Sequence, residues 1–343
     1  MSSASKATPR HGIAFTELPE LMNITLGNCD AATLQIAQKA KFTPFSDPLT
    51  HGPARPFSVK STERWVELRR AYWNQIHSID SRSSKRFNSE YLDAIDAILH
   101  ARTIRLWLTS DVDSLMFSAW VTFFLSNRRS AFTLDLVQYP RRAGHCFLAM
   151  QQETLQKPPR SIPVVGSTAE FLNALWAAWA APSPCGLLDL FRKTKTIHSW
   201  RFLLARLLDR YPNAETGLTN WDYRLLQNVK KHGPSLAHVI GYTFAASHST
   251  FDNAGDVWLA SRLLRMADLG PDQRLVKIVH HRSIFGRGSI TLTQRGTDVL
   301  TGHAKAPYAI NRNDWIGGVR IGWKIKSGWF STSTGLIKRE VVD

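Results

Sequence analysis

Short apolar runs alternate with amphipathic segments over the first part of the chain. Residues 22–27, 41–45, 103–108 and 131–137 are apolar runs bounded by polar or turn-forming residues, which is typical of strands. Between them, residues 31–40, 65–76, 88–100 and 115–125 have apolar side chains spaced as on helices. We interpret Asn88 as the N-cap of the third helix and residues 80–86 as a loop. Strands that alternate with helices predict a Rossmann-like α/β domain with a small parallel sheet over residues 21–150, preceded by a flexible arm at 1–20.

The middle of the chain changes from alternating strands and helices to helices alone. Residues 151–163 are polar and contain three prolines, so we interpret them as a linker. The pattern then predicts a helical segment over residues 164–212. Its first helix begins at a capping box formed by Ser167 and Glu170, and a second helix covers residues 200–211.

The last third of the chain has the element order of a winged helix. We expect Thr219 or Asn220 to cap a helix, further helices at 236–246 and 257–269, and strands at 275–280 and 289–293. These elements predict a winged-helix-like α+β domain over residues 213–303. Residues 304–343 form a basic, Trp-rich tail that alternates like a β-hairpin.

Several short motifs resemble the bacterial family catalogued as domain of unknown function 1835. They are Leu26-Gly27-Asn28-Cys29-Asp30, Asp47 with His51-Gly52-Pro53, Leu106-Trp107-Leu108 followed by Asp111, Gly217-Leu218-Thr219, Leu292-Thr293 with Gly296, and Trp315-Ile316-Gly317-Gly318-Val319. The resemblance covers most of the chain from about residue 22. It implies an α/β front domain, a helical middle and a winged-helix-like end, but no particular activity. In that family the central aspartate tends to follow an acidic residue and a histidine, whereas this chain has Thr109 and Ser110 there.

The charge of the chain points to a polyanionic partner. The 343 residues carry a formal net charge of +16, and between Arg274 and Arg339 twelve Lys or Arg face only two acids. Such an excess favours binding to nucleic acid, although it also serves solubility alone. Three widely spaced cysteines, and no apolar run of signal-peptide or membrane-spanning length, lead us to expect a cytoplasmic protein without a membrane partner.

The basic residues of the predicted winged helix are the candidate nucleic-acid contacts. Arg262 and Arg265 lie on the expected recognition helix, and the strands and their connection contribute Arg274, Lys277, Arg282, Arg287 and Arg295. Winged helices also serve as protein-interaction modules, so an adaptor is an alternative. The tail aromatics alternate with cations: Trp315, Trp323, Trp329 and Phe330 are interleaved with Arg320, Lys324 and Lys326. Such rings either stack on unpaired bases or close a hairpin onto the core.

Four aspartates follow predicted strands and form a second candidate site. Asp30, Asp47, Asp111 and Asp113 would lie at the carboxyl edge of a parallel sheet, where ligands bind in such folds. Carboxylates that converge there suit a divalent metal, the candidate cofactor. This arrangement leaves open a metal-dependent enzyme that acts on a phosphate-bearing or nucleic-acid substrate. Aspartates after strands also cap the next helix, which is the structural alternative.

Overall fold

The predicted apolar strands assemble into one sheet. A computed structural model describes residues 21–56, 61–77, 81–126, 131–140, 146–194, 198–247, 251–279, 288–311, 314–321, 327–333 and 335–340. Strands β1 (Leu21–Leu26), β2 (Phe42–Phe45), β4 (Thr103–Leu108) and β5 (Thr133–Gln138) are parallel, and β6 (Ile162–Pro163) adds an antiparallel edge in the order β2-β1-β4-β5-β6. The mixed α/β architecture is thereby confirmed. Strand β3 (Gly52–Pro53) belongs to a separate small sheet.

Within the described residues, four helices belong to the front half, and all but the second pack directly on this sheet. They are α1 (Asn28–Gln38), α2 (Thr62–His77), α3 (Ser81–His100) and α4 (Val112–Ser126). Helix α4 is buried on nearly every side because it packs between the sheet and later helices, which explains its apolar composition. Helix α3 begins at Ser81, so a loop over residues 80–86 is wrong from Ser81 onward. Arg and Lys are good helix formers, and the cap signal at Asn88 does not stop the helix.

The segment expected to be a linker takes part in the fold. It contains α5 (Gln152–Gln156) and β6, whose Ile162 pairs with Leu136 of β5. Helices α6 (Gly166–Ala180), α7 (Cys185–Lys193) and α8 (His198–Leu208) follow. Helix α6 begins at Gly166 and has no side-chain cap, so the capping box predicted at Ser167 is wrong. One cluster of buried apolar side chains extends from Met22 to Ile321 and therefore joins all these regions.

The last third begins with three helices and a hairpin. They are α9 (Asn220–His232), α10 (Leu236–Ser247), α11 (Asp256–Ala267), β7 (Val276–Val279) and β8 (Ser289–Leu292), followed by α12 (Gln294–Leu300). Thr219 caps α9 in a capping box with Asp222, which confirms one of the two expected caps. After α9, the backbone NH of Ile290 in β8 donates to Pro234 O over 2.8 Å. The end of α9 therefore lies beside the hairpin.

The tail is tied to the front of the molecule. Strands β9 (Asp314–Gly317) and β10 (Val319–Ile321) form a hairpin, and β9 pairs in parallel with β3. A second hairpin follows, formed by β11 (Ser327–Thr332) and β12 (Gly335–Glu340). The predicted tail hairpin is thus part of a sheet with residues 52–53. Among the helices in the described ranges, none has the length and apolarity needed to span a bilayer.

Candidate functional site

Open α/β sheets bind ligands where the strand order reverses, which in this sheet lies between β1 and β4. Strand β1 leads through α1 to β2 on one side, whereas β4 leads through α4 to β5 on the other. Because the two connections diverge, a ligand crevice is expected at the carboxyl ends of β1 and β4. Asp30 lies in the first turn of α1, and Asp111 lies just after β4.

Asp30 and Asp111 interact electrostatically, and burial affects both carboxylates. Burial, and then the charge of Asp111, raise the pKa of Asp30 to about 7, although the backbone NH groups of Phe147 and Leu148 donate to its carboxylate and oppose the shift. Burial also raises the pKa of Asp111, and hydrogen bonds from Thr109 and Ser114 oppose this. Asp30 is consequently only partly ionised near neutral pH.

Asp111 and Asp113 both have structural partners. The backbone NH of Ser114 donates to Asp111 over 2.7 Å, which satisfies one of the free NH groups at the start of α4. The hydroxyl of Thr50 donates to Asp113, whose pKa burial raises to about 7 against the opposing charge of Arg210. Asp111 therefore caps helix α4, as the structural alternative predicted.

An ion pair with Arg69 makes Asp47 unavailable as a ligand of the candidate metal site. Both of its oxygens are held by the guanidinium of Arg69, and the indole NH of Trp73 donates to it over 2.7 Å. Asp47 and Arg69 are fully buried, so a metal ion would have to displace a buried counter-charge. No three His, Cys, Asp or Glu side chains come together as metal ligands in the part of the chain that the structure describes. The geometry does not support a metal site formed by Asp30, Asp47, Asp111 and Asp113.

Helix α11 is buried, so it cannot enter a groove of DNA, and the prediction of a recognition helix here is not supported. Arg262 is 1% exposed and donates two hydrogen bonds to Asp222, at 2.8 and 2.7 Å, and one to Asp314 at 2.5 Å. Burial lowers the pKa of Arg262, but the charges of Asp222 and Asp314 outweigh burial and raise it. Arg265 is largely covered and lies 3.2 Å from Asp314. Neither arginine is therefore available to phosphate, because each already faces a carboxylate.

The basic residues of the β7–β8 hairpin are placed differently. Lys277 is exposed on β7 and lies opposite Thr291, which is also exposed, while Val276 and Ile290 face the core. Arg274 precedes β7 and is partly buried; Arg295, on α12, is partly buried and donates to Lys305 O over 2.9 Å. Arg282 and Arg287 lie outside the described residues.

The sequence interpretation missed two cations beside this hairpin. Lys230 and Lys231 are exposed in the last turn of α9, where the helix dipole favours positive charge. Their signal was a Lys-Lys-His run at the end of an amphipathic helix.

No protein-family model and no curated protein matches this chain, so these comparisons assign it neither a family nor a ligand.

Proposed function

We propose that this protein binds nucleic acid through the phosphate backbone, at a surface formed by the β7–β8 hairpin and the end of α9. This surface is called the basic hairpin surface below. The order of three helices followed by a hairpin from α9 to β8, and the isolated bridge between Ser235 and Ser289, support our interpretation of this region as winged-helix-like, with the hairpin as its wing. Wings commonly contact backbone or minor groove, where cations neutralise phosphate.

The observation that carries the proposal is the position of exposed cations on both parts of this surface. Lys277 projects from β7, and Lys230 and Lys231 project from the last turn of α9. Pro234, two residues after α9, accepts a hydrogen bond from Ile290 of β8, so the end of α9 lies beside the hairpin. Arg282 and Arg287 belong to the connection between the strands, and residues 273–297 contain no acid. A surface of this kind holds phosphate without reading bases, which agrees with the burial of α11.

We also propose a family, a cellular location and a ligand site for this chain. The motifs quoted above support membership of the bacterial family that they resemble. A cytoplasmic location is consistent with free cysteines at positions 29, 146 and 185. The crevice between β1 and β4 is where a regulatory ligand would bind. The metal-dependent enzyme is not proposed, because Asp47 is already neutralised by Arg69.

Binding of a labelled 20-base-pair DNA duplex, measured by fluorescence anisotropy over a series of salt concentrations, tests the proposal. The variant Arg282→Ala/Arg287→Ala should weaken binding to unrelated sequences alike. Removal of two phosphate contacts should reduce the slope of log K against log salt by about 1.8. The matched control is Arg160→Ala/Arg192→Ala, which removes two exposed arginines elsewhere and should leave the slope unchanged.

An unchanged affinity and salt slope in the Arg282/Arg287 variant would refute the assigned contact. Absence of duplex binding by the unaltered chain, together with a salt-insensitive protein complex, would favour the adaptor instead.

A further inference from the structure

An open groove of about 540 Å³ lies between the two C-terminal hairpins. Each hairpin supplies one tryptophan and one cation to its lining. Trp315 of β9 lies opposite Arg320 of β10, and Trp329 of β11 lies opposite Lys338 of β12. Residues that are directly opposite in a two-stranded ribbon project to the same face. Both ribbons therefore present a Trp–cation pair to one space, called the Trp groove below.

The charge of the Trp groove is positive. Arg55, Arg320 and Lys338 are exposed and line it, and none of the lining residues within the described ranges is acidic. The guanidinium carbons of Arg55 and Arg320 lie 6.0 and 5.9 Å from the ring centroid of Trp315, within the range of cation–π attraction. Planar cations and aromatic rings thus lie side by side along the groove.

The floor of the groove is held by close backbone packing. Gly318 NH donates to Trp179 O over 2.8 Å, and Ala54 NH donates to Gly317 O over 2.9 Å. A Cβ on Gly318 would lie 2.1 Å from Ala180 O, so the β9–β10 turn rests directly on the end of α6. Trp315 is therefore displayed from a part of the fold with little room to move, which reduces the ordering cost of binding.

We propose that the Trp groove binds an unpaired nucleotide within a single-stranded nucleic acid. A base would stack on an indole ring, and the adjacent phosphates would lie near the cations that alternate with the rings. The volume is in the range of sites that enclose a small ligand. An acidic peptide would use the cations but not the ring faces. The proposal extends the proposed function to a second surface and a second form of nucleic acid, and it relies on that function only for the class of ligand.

The test measures binding of a fluorescein-labelled ten-nucleotide oligothymidylate to the full chain by anisotropy. Trp329→Leu keeps an apolar side chain but removes the aromatic face, so Kd should rise roughly 5- to 150-fold. Trp329→Phe keeps an aromatic face and should stay close to the unaltered protein. The variant Arg320→Gln/Lys338→Gln should reduce the salt slope by about 1.4, since each single-strand phosphate contact contributes about 0.7.

Trp200→Leu is the matched control, because Trp200 stacks on Phe171 in the helical middle and does not line the groove. It should leave oligothymidylate binding unchanged. Circular dichroism of each variant checks folding. If Trp329→Leu fails to fold, the charge variant still decides the outcome.

Wild-type affinity and salt slope in the folded groove variants would overturn the proposal. So would displacement of the oligonucleotide by polyglutamate as effectively as by unlabelled oligothymidylate, because that result identifies a site for acidic peptides. Both surfaces would be supported if only the Arg282/Arg287 variant loses duplex binding and only the groove variants lose single-strand binding. Single-strand binding that depends on Trp329 without any duplex binding would retain the Trp groove and refute the basic hairpin surface.

Discussion

Replacement of Arg262 by methionine should destabilise the fold rather than remove a nucleic-acid contact. Arg262 donates to Asp222, Asp314 and the side chain of Asn311, at distances between 2.5 and 2.9 Å. Methionine has a similar length but no charge, so the Asp222 and Asp314 carboxylates would lose their shared buried cation. Removal of one partner from a buried ion pair typically costs about 3–5 kcal/mol.

The expected change in melting temperature follows from the chain length. Unfolding entropy of about 2.1 cal/mol/K per residue over 343 residues converts 3–5 kcal/mol to roughly 4–7 °C. Differential scanning calorimetry of the variant and of the unaltered protein measures this difference in melting temperature directly.

Arg265→Met is the matched control for this prediction. Arg265 is on the same helix and contacts Asp314 only at 3.2 Å, with part of its side chain exposed, so we expect a loss below about 1 kcal/mol. The reasoning is refuted if Arg262→Met melts within 1 °C of the unaltered protein and instead weakens duplex binding. That outcome would restore Arg262 as a phosphate contact.

Three further predictions concern individual buried groups. Burial raises the pKa of Asp30 from 3.8 to about 7, so its contribution to stability falls as pH rises from about 4 to 7. The variant Asp30→Asn should flatten this part of a plot of melting temperature against pH. An unaltered curve would contradict the raised pKa of Asp30. Burial, and then the charge of Arg210, lower the pKa of His51 well below 6.5. The stability contributed by the neutral ring is therefore complete above pH 6.5 and is lost below it, by up to about 2 kcal/mol at pH 5. In urea titrations, His51→Gln should reduce this loss of stability in acid. Gly52→Ala should cost about 2–4 kcal/mol by urea unfolding, because its φ is +76° and a Cβ would lie 2.5 Å from the Tyr72 ring; Gly27→Ala has the same φ but open space and should cost only about 1 kcal/mol.

The elements of the α/β sheet were predictable because their signals are local. The strand expected at 103–108 has those bounds in the structure. The strand expected at 22–27 is shifted by one residue at both ends, and the strand expected at 41–45 begins one residue later. Alternating or continuous apolar residues specify which side of a segment is buried, and this needs no knowledge of distant residues. Helix ends were less predictable, as the start of α3 at Ser81 shows, because a polar helical turn costs little free energy.

The candidate sites were less predictable because charged side chains acquire their roles from partners far along the chain. Arg262 pairs with Asp222 and Asp314, which are 40 and 52 residues away, and Asp47 pairs with Arg69. A sequence pattern assigns an arginine on an amphipathic helix to the surface, since an unpaired charge is too costly to bury. Buried carboxylate partners reverse that expectation.

The amino-acid order alone specifies the parallel sheet, the helices around it and the positive charge of the C-terminal third, since each depends on composition or on periodicity within a few residues. It also places Trp315, Trp329 and their neighbouring cations on alternating segments. Which cations remain in solvent, and whether two hairpins converge on one groove, depend on long-range packing. Burial makes a pair such as Arg262 and Asp222 part of the core, whereas Arg320 and Lys338 stay exposed on opposite sides of a groove. The basic C-terminal third therefore divides into an internal ion-pair network and an exposed basic surface, because a charge is stable away from water only beside a buried partner of opposite charge.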